Sequence, residues 1–331
     1  MTKSEIKSKK EVVYTASKRN HILEFFSVIG LLLFSPILQV FLGPVLFGYF
    51  FYYHWITRTL ACIYIVSLIL DKKGFHDREI KGVKNFFGRT LMPYVRSYFS
   101  SKLVKTVDLD PSKSYLFAVH PHGVICLSYH INVLENPHFY DLYKGLKTTT
   151  CTLPANFYIP IWKEMIQAIG FISSNVESIL NCIRPGVALS IVVGGAKEYN
   201  YMEKGTLDLV LRDRKGFIKV AIKSGASLVP VINFGENEIY IRGESSEFMK
   251  KIFRIFRASA PSFSGRFGTI MPFQHELVTV IGSPVHTIKT AEPTQEMIDD
   301  IHQQYLQGLR DLYDAYKDQY FTYRIKDMEF V

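Results

Sequence analysis

From Phe25 to Thr57 the chain has no Asp, Glu, Lys or Arg at any of 33 successive positions. Arg58 interrupts, and Thr59–Leu70 is again uncharged. A helix needs roughly 20 apolar residues to span a bilayer. Phe25–Leu70 is 46 residues, about two such spans. Gly43-Pro44 falls near its middle, where a proline without a backbone N–H breaks a helix. Lys3, Lys7, Lys9, Lys10, Lys18 and Arg19 precede the run, and Lys72, Lys73, Arg78, Lys81 and Lys84 follow it. Basic flanks favour the cytosolic side, and two such flanks require an even number of crossings. The expectation is a membrane hairpin, about Phe25–Leu42 inward and about Val45–Leu70 outward. One tilted span followed by a buried core helix is the competing arrangement. Arg58 is costly inside a bilayer unless it snorkels or pairs, so a hairpin that only half-enters also suits it. A cleaved signal peptide does not fit, because the apolar part is too long and lacks a small-residue cleavage site. The organisation expected is a basic cytosolic segment 1–24, a hairpin 25–70 and a globular part 71–331.

The remaining chain is long enough to bury a core without a disulfide or metal staple. A hydrophobic share of 48% excludes disorder as its main state. The net charge of +9 favours an anionic partner, whether nucleic acid, anionic lipid or a phosphorylated substrate. Cys62, Cys126, Cys151 and Cys182 show no CxxC and no Cys/His metal spacing, so a zinc site or disulfide framework is not expected. The thiols read as reduced, facing cytosol. Dinucleotide, P-loop, serine-hydrolase and zincin signatures are all missing.

After about Gly88 the chain reads as alternating α and β. Ser114–Val119, Val187–Val193, Ser227–Phe234 and Leu277–Ile281 are strand-like apolar runs. Between them lie helical stretches. Ser174 to Glu177 has the spacing of a capping box that opens a helix closed by Pro185-Gly186. Lys215–Ser224 reads as a helix ended by Gly225. Ile298, Ile301, Tyr305, Leu309, Leu312 and Tyr316 step by three or four along one helical stripe. The fold class expected is α/β, a mostly parallel sheet flanked by helices.

Three motifs carry chemistry. His120-Pro121-His122-Gly123 follows the first strand and presents two imidazoles at a sheet edge. Imidazole titrates near neutrality and can take a proton from an alcohol. Two ordinary surface histidines, or half a metal site, would share this spacing. Gly194-Gly195-Ala196-Lys197-Glu198 follows the next strand; its N–H groups could hold an oxyanion or phosphate, and Glu198 could orient a histidine. Arg212, Arg214, Lys215, Lys219 and Lys223 cluster on and before one helix, as a solvated face also would. Phe234-Gly235-Glu236-Asn237 puts a further carboxylate at a strand end.

Together these stretches resemble the type-2 diacylglycerol and monoacylglycerol acyltransferase family. Tyr115–Gly123, Val192–Glu198, Arg214–Phe217, Leu228–Val231, Phe234–Glu238 and Val278–Pro284 match in order and spacing over about 85–320. The resemblance implies a glycerolipid-acyltransferase-like α/β domain on the endoplasmic reticulum, facing the cytosol, with lipid droplets as a further location. It implies acyl transfer from acyl-CoA to diacylglycerol, giving triacylglycerol. Acyl-CoA would be a substrate, with no cofactor, no metal and no nucleic-acid partner. Monoacylglycerol or a long-chain alcohol is the alternative acceptor, and a non-catalytic lipid-binding protein the alternative class. The residues implied are His122, or else His120, as general base, with Glu198, and Pro121, Gly123, Gly194, Gly195, Glu236 and Asn237 as oxyanion or positioning groups. Arg214 and Lys215 would meet the acyl-CoA phosphates. Two stretches depart from the family pattern: Tyr98-Phe99-Ser100, where many members have Tyr-Phe-Pro, and Lys197. Related glycerophosphate acyltransferases place Asp five residues after a His; here those positions are Ile125 and Leu127, so Glu198 is the carboxylate expected to serve, with Glu236 in reserve.

Overall fold

The apolar runs become the centre of a sheet because residues on both of its faces are buried. The computed structural model describes residues 11–33, 45–49, 51–71, 78–134, 136–244, 247, 251 and 262–331. The main elements are β1 (Val12–Thr15), α1 (His21–Leu33), α2 (Trp55–Leu70), α3 (Lys81–Thr90), α4 (Met92–Tyr98), β2 (Lys102–Lys105) and β3 (Tyr115–His120). There follow α5 (Pro137–Leu142), β4 (Lys147–Thr152), α6 (Trp162–Ala168), β5 (Phe171–Ser173), α7 (Val176–Cys182) and β6 (Val187–Val192). The chain continues through α8 (Gly216–Ser224), β7 (Ser227–Phe234), β8 (Val278–Ile281) and α9 (Gln295–Tyr320). Between β3 and α5, a short helix Leu127–Tyr129 runs into a π-helical turn, His130–Leu134.

The eight strands lie in the order β1-β2-β8-β7-β3-β6-β4-β5. Every junction is parallel except β1 with β2 and β8 with β7. The mostly parallel α/β sheet expected from the sequence is therefore present. Alternation along β3 sorts its residues: Leu116 and Ala118 join a core with α8 and α9, whereas Tyr115, Phe117 and Val119 join the core on the opposite face.

The helical stripe forms α9 and buries Ile298, Tyr305, Leu309, Leu312 and Tyr316. Thr294 caps it by accepting from the Met297 N–H at 3.2 Å. The capping box at Ser174 does not form. Asn175 occupies the N-cap of α7 and makes no side-chain cap bond.

The hairpin region is only partly described, and Gly43-Pro44 lies outside the described residues. No described helix is long and apolar enough to cross a membrane. Helix α1 begins at His21, before the expected limb, and packs Val28 and Leu32 among Met92, Val95 and Tyr98. Buried Glu24 accepts from the Ser97 hydroxyl, which in turn accepts the Arg19 N–H at 2.8 Å. The opposite side leaves Ile22 and Phe26 exposed. Helix α2 exposes Trp55, Leu60, Ile63 and Val66. It is fastened beside α6: the Tyr64 hydroxyl donates to Glu164 at 2.7 Å and accepts the Ile161 N–H at 2.8 Å. Asp71 then pairs with Arg78 and Lys163 at 2.8 and 2.9 Å. Arg58 donates from Nε to the Phe51 carbonyl at 3.2 Å, a local partner for the charge inside the apolar run. Lys84, counted above in the basic flank, is buried and paired with Glu79 at 3.0 Å.

Leu309 is wholly buried where α9 meets the sheet. Leu309→Ala is expected to destabilise the protein by about 2–5 kcal/mol. Thermal unfolding of the detergent-solubilised full chain measures this as a lowered Tm.

Candidate active site

Because β3, β4, β6 and β7 are parallel, their C-terminal ends share one edge of the sheet. That edge receives His120 at the end of β3, Gly194 and Gly195 after β6, and Gly235-Glu236-Asn237 after β7. Ligand sites of open α/β sheets form there.

His120 continues the parity of Leu116 and Ala118, so it faces α9. It is wholly buried, with Nε2 2.7 Å from the Tyr305 hydroxyl. Burial pushes its pKa down to about 3, so the ring is neutral at pH 7. Tyr305 entered the sequence reading only as a member of an apolar stripe; nothing there pointed to its hydroxyl.

His122 lies past Pro121 and is half-buried. Its Nδ1 is 3.1 Å from the Gly123 carbonyl. A carbonyl only accepts, so Nδ1 carries the proton and Nε2 is left as a lone pair. Burial lowers the pKa of His122, against the opposing effect of the carbonyl bond. A neutral imidazole with a bare Nε2 is the form a general base requires. Gly123 has φ +53°, and a Cβ there would lie 2.6 Å from Glu236 Cγ, so both conformation and space favour glycine.

The carboxylates sit beneath this turn. Glu198 reaches His122, but by its backbone: Oε2 accepts the His122 N–H at 2.7 Å, and Oε1 accepts the Val210 N–H at 3.2 Å. The imidazole is oriented by the Gly123 carbonyl instead. Glu198 folds back so closely that a Cβ on Gly194 would overlap its carboxyl group. Gly194 therefore makes room for the carboxylate. Glu236 accepts the Leu127 and Ser128 N–H groups at 2.8 and 2.7 Å and the Ser128 hydroxyl at 2.6 Å. It thereby caps the short helix that follows the turn. Asn237 donates to the Thr206 carbonyl at 3.1 Å. Glu236 and Asn237 are thus engaged with the protein's own backbone.

Arg214 donates to the Gly194 carbonyl at 3.4 Å, which places a cation beside the glycine turn. Lys215 is paired with Asp299 at 2.7 Å, and Lys223 lies 3.8 Å from Glu292. A third imidazole, His130, was not read from the sequence. It stands on the π-helical turn with Phe171 edge-on at 5.2 Å. Burial and then the charge of His122 push its pKa down to about 4. Among the described residues no group of three or more His, Cys, Asp or Glu is placed to hold a metal ion.

Burial pushes the Glu198 pKa up to about 7 from 4.5, against the pull of its two N–H donors and Arg214. The folded state then holds that proton more tightly than the unfolded state between about pH 4.5 and 7, so this group's contribution to stability falls as pH rises through that window. Glu198→Gln removes the titration. The stability of wild type minus that of the variant is expected to fall by up to about 1.4 kcal/mol per pH unit there and to level off above it. Parallel denaturation series across pH measure the difference.

Comparison with known proteins agrees with the resemblance. The family model described as Diacylglycerol acyltransferase matches residues 49–330. Diacylglycerol O-acyltransferase 2A of Umbelopsis ramanniana is 40% identical over 252 residues, covering 71% of this chain and 71% of that protein. The 2-acylglycerol O-acyltransferase 1 of Homo sapiens is 35% identical over 259 residues, covering 73% and 76%. Diacylglycerol O-acyltransferase 2 of Danio rerio is 34% identical over 280 residues, covering 79% and 76%. The solved 1-acyl-sn-glycerophosphate acyltransferase PlsC of Thermotoga maritima aligns over 88% of this chain and 96% of its own at 13% identity, with a TM-score of 0.43, too low to bear on the site. With the family match running from residue 49 almost to the C-terminus, this chain belongs to the diacylglycerol acyltransferase family.

Proposed function

We propose that this chain transfers an acyl group from acyl-CoA to the free hydroxyl of diacylglycerol, forming triacylglycerol. The observation that carries this reading is the neutral His122, with Nδ1 bound to the Gly123 carbonyl and Nε2 bare, in a member of this family. The acceptor hydroxyl gives its proton to Nε2 as its oxygen bonds to the thioester carbonyl carbon. The carbon–sulfur bond breaks, and the departing thiolate of coenzyme A takes the proton from the imidazolium. No acyl-enzyme and no metal or other cofactor is needed. N–H groups at Gly123 and at Gly194-Gly195 are the proposed donors to the developing oxyanion. Glu198 and Glu236 act through the backbone they hold. Arg214 and Lys215 are assigned to the acyl-CoA phosphates, Arg214 being the one bound at the glycine turn.

The acceptor and the thioester tail are lipids, so the reaction belongs at a membrane surface. The uncharged run and its basic flanks support a hairpin anchor in the endoplasmic reticulum membrane, with the sheet domain on the cytosolic side and lipid droplets as a second site. The exposed apolar residues of α1 and α2 support the same placement. Monoacylglycerol is the second acceptor to consider, because one relative of similar identity is a 2-acylglycerol O-acyltransferase.

Expressed in cells without triacylglycerol synthesis of their own, the chain is expected to restore labelled triacylglycerol. Diacylglycerol, monoacylglycerol and a long-chain alcohol, offered side by side, rank the acceptors. His122→Ala is expected to lower turnover by about 10²-fold or more. As pH falls through the His122 pKa the base is lost, so the acid limb of kcat/KM should lie below 6.5. Wild-type turnover in His122→Ala would reject its assignment as base.

The cation assignment is checked separately. Arg214→Ala with Lys215→Ala is expected to raise the KM for acyl-CoA several-fold, less so at high salt, and to leave acceptor dependence nearly unchanged. An equal loss for both substrates would make the cluster a general surface feature.

A further inference from the structure

We propose that Tyr305 is a positioning residue for acyl transfer, holding the His120 imidazole as its Nε2–H tautomer directly before the turn that carries His122. The proposal rests on the general-base reading of His122. Tyr305 lies 185 residues from His120 in the chain, in none of the matching stretches, yet both side chains are wholly buried and in contact.

Among the described residues the hydroxyl of Tyr305 has two hydrogen-bond partners, His120 Nε2 at 2.7 Å and the Ala118 carbonyl at 3.3 Å. The carbonyl only accepts. If the phenol donates to it, the phenol oxygen is free to accept an Nε2–H, and a chain of imidazole, phenol and carbonyl satisfies both donors. In the opposite arrangement the phenol donates to Nε2 instead of to the Ala118 carbonyl, which lies within the ladder of β3. The imidazole proton then sits on Nδ1, which has no hydrogen-bond partner among the described residues. A buried donor without an acceptor costs about 1–3 kcal/mol, and such orphans are rarer than unpaired acceptors. The first arrangement is favoured.

Burial keeps both groups uncharged, lowering the imidazole's pKa and raising the phenol's. A neutral His120 adds no positive charge against the imidazolium that forms on His122. The Tyr305 ring is itself held by Phe217, edge-on at 5.0 Å.

The test compares Tyr305→Phe with Leu309→Ala, a packing control, in the full-length protein. Tyr305→Phe is expected to lower kcat about tenfold, the size of one hydrogen bond's loss, with both KM values within about twofold. Leu309→Ala should lower Tm without that loss of kcat. Ring ¹⁵N spectra, with His120 assigned by its disappearance in His120→Gln, read the tautomer without any turnover. Wild type should show a protonated Nε2 and a bare Nδ1, and Tyr305→Phe a mixture. A wild-type proton on Nδ1, or a Tyr305→Phe variant that keeps both tautomer and kcat, overturns the proposal. The expected tautomer in a wild-type chain that transfers no acyl group would instead overturn the acyl-transfer reading while upholding the tautomer lock.

Discussion

The site depends on the hydrogen bond from the His122 N–H to Glu198. It fixes the backbone of the histidine turn to the glycine turn after the neighbouring parallel strand, so two loops 76 residues apart in sequence share one geometry. Glu236 does the same from the other neighbouring strand, holding the N–H groups of Leu127 and Ser128. The His122 turn is thus tied from both sides by buried carboxylates. Their desolvation opposes the charged form, and the backbone donors offset it in part. The imidazole needs neither of them for its tautomer, since the next residue's carbonyl supplies that locally.

Much of the scaffold was legible because burial leaves a regular trace. Four apolar runs became β3, β6, β7 and β8 within a residue or two, and the stripe near the C-terminus became α9. Strands flanked on both faces are mostly apolar, and a helix over a sheet must repeat by three or four. Strands β1, β2, β4 and β5 escaped notice. Lys147–Thr152 has three consecutive threonines and no apolar run, although its interior is buried. The capping box failed because the helix starts one residue later than that spacing requires, with Asn175 and not Ser174 at its N-cap.

The chemistry was legible at the level of residue type and less so at the level of atoms. His122 and Glu198 do meet, yet through a backbone N–H that no side-chain pattern encodes. His120 could be placed by parity, since it follows Leu116 and Ala118 in steps of two. Its partner Tyr305 could not, because a tyrosine in an apolar stripe looks the same whether its hydroxyl is used or not. His130 was hidden by the π-helical turn, whose extra residue breaks the usual helical spacing.

The fastening of α2 carries a geometric consequence. Tyr64 and Asp71 bind this helix to the loop after β4 and to α6, at the sheet edge where the histidine turn also lies. Such a helix cannot roll on its own axis without breaking those bonds. Whatever surface takes up Trp55, Leu60 and Ile63 therefore sets the tilt of the whole sheet, and with it the height and heading of the His122 imidazole above that surface.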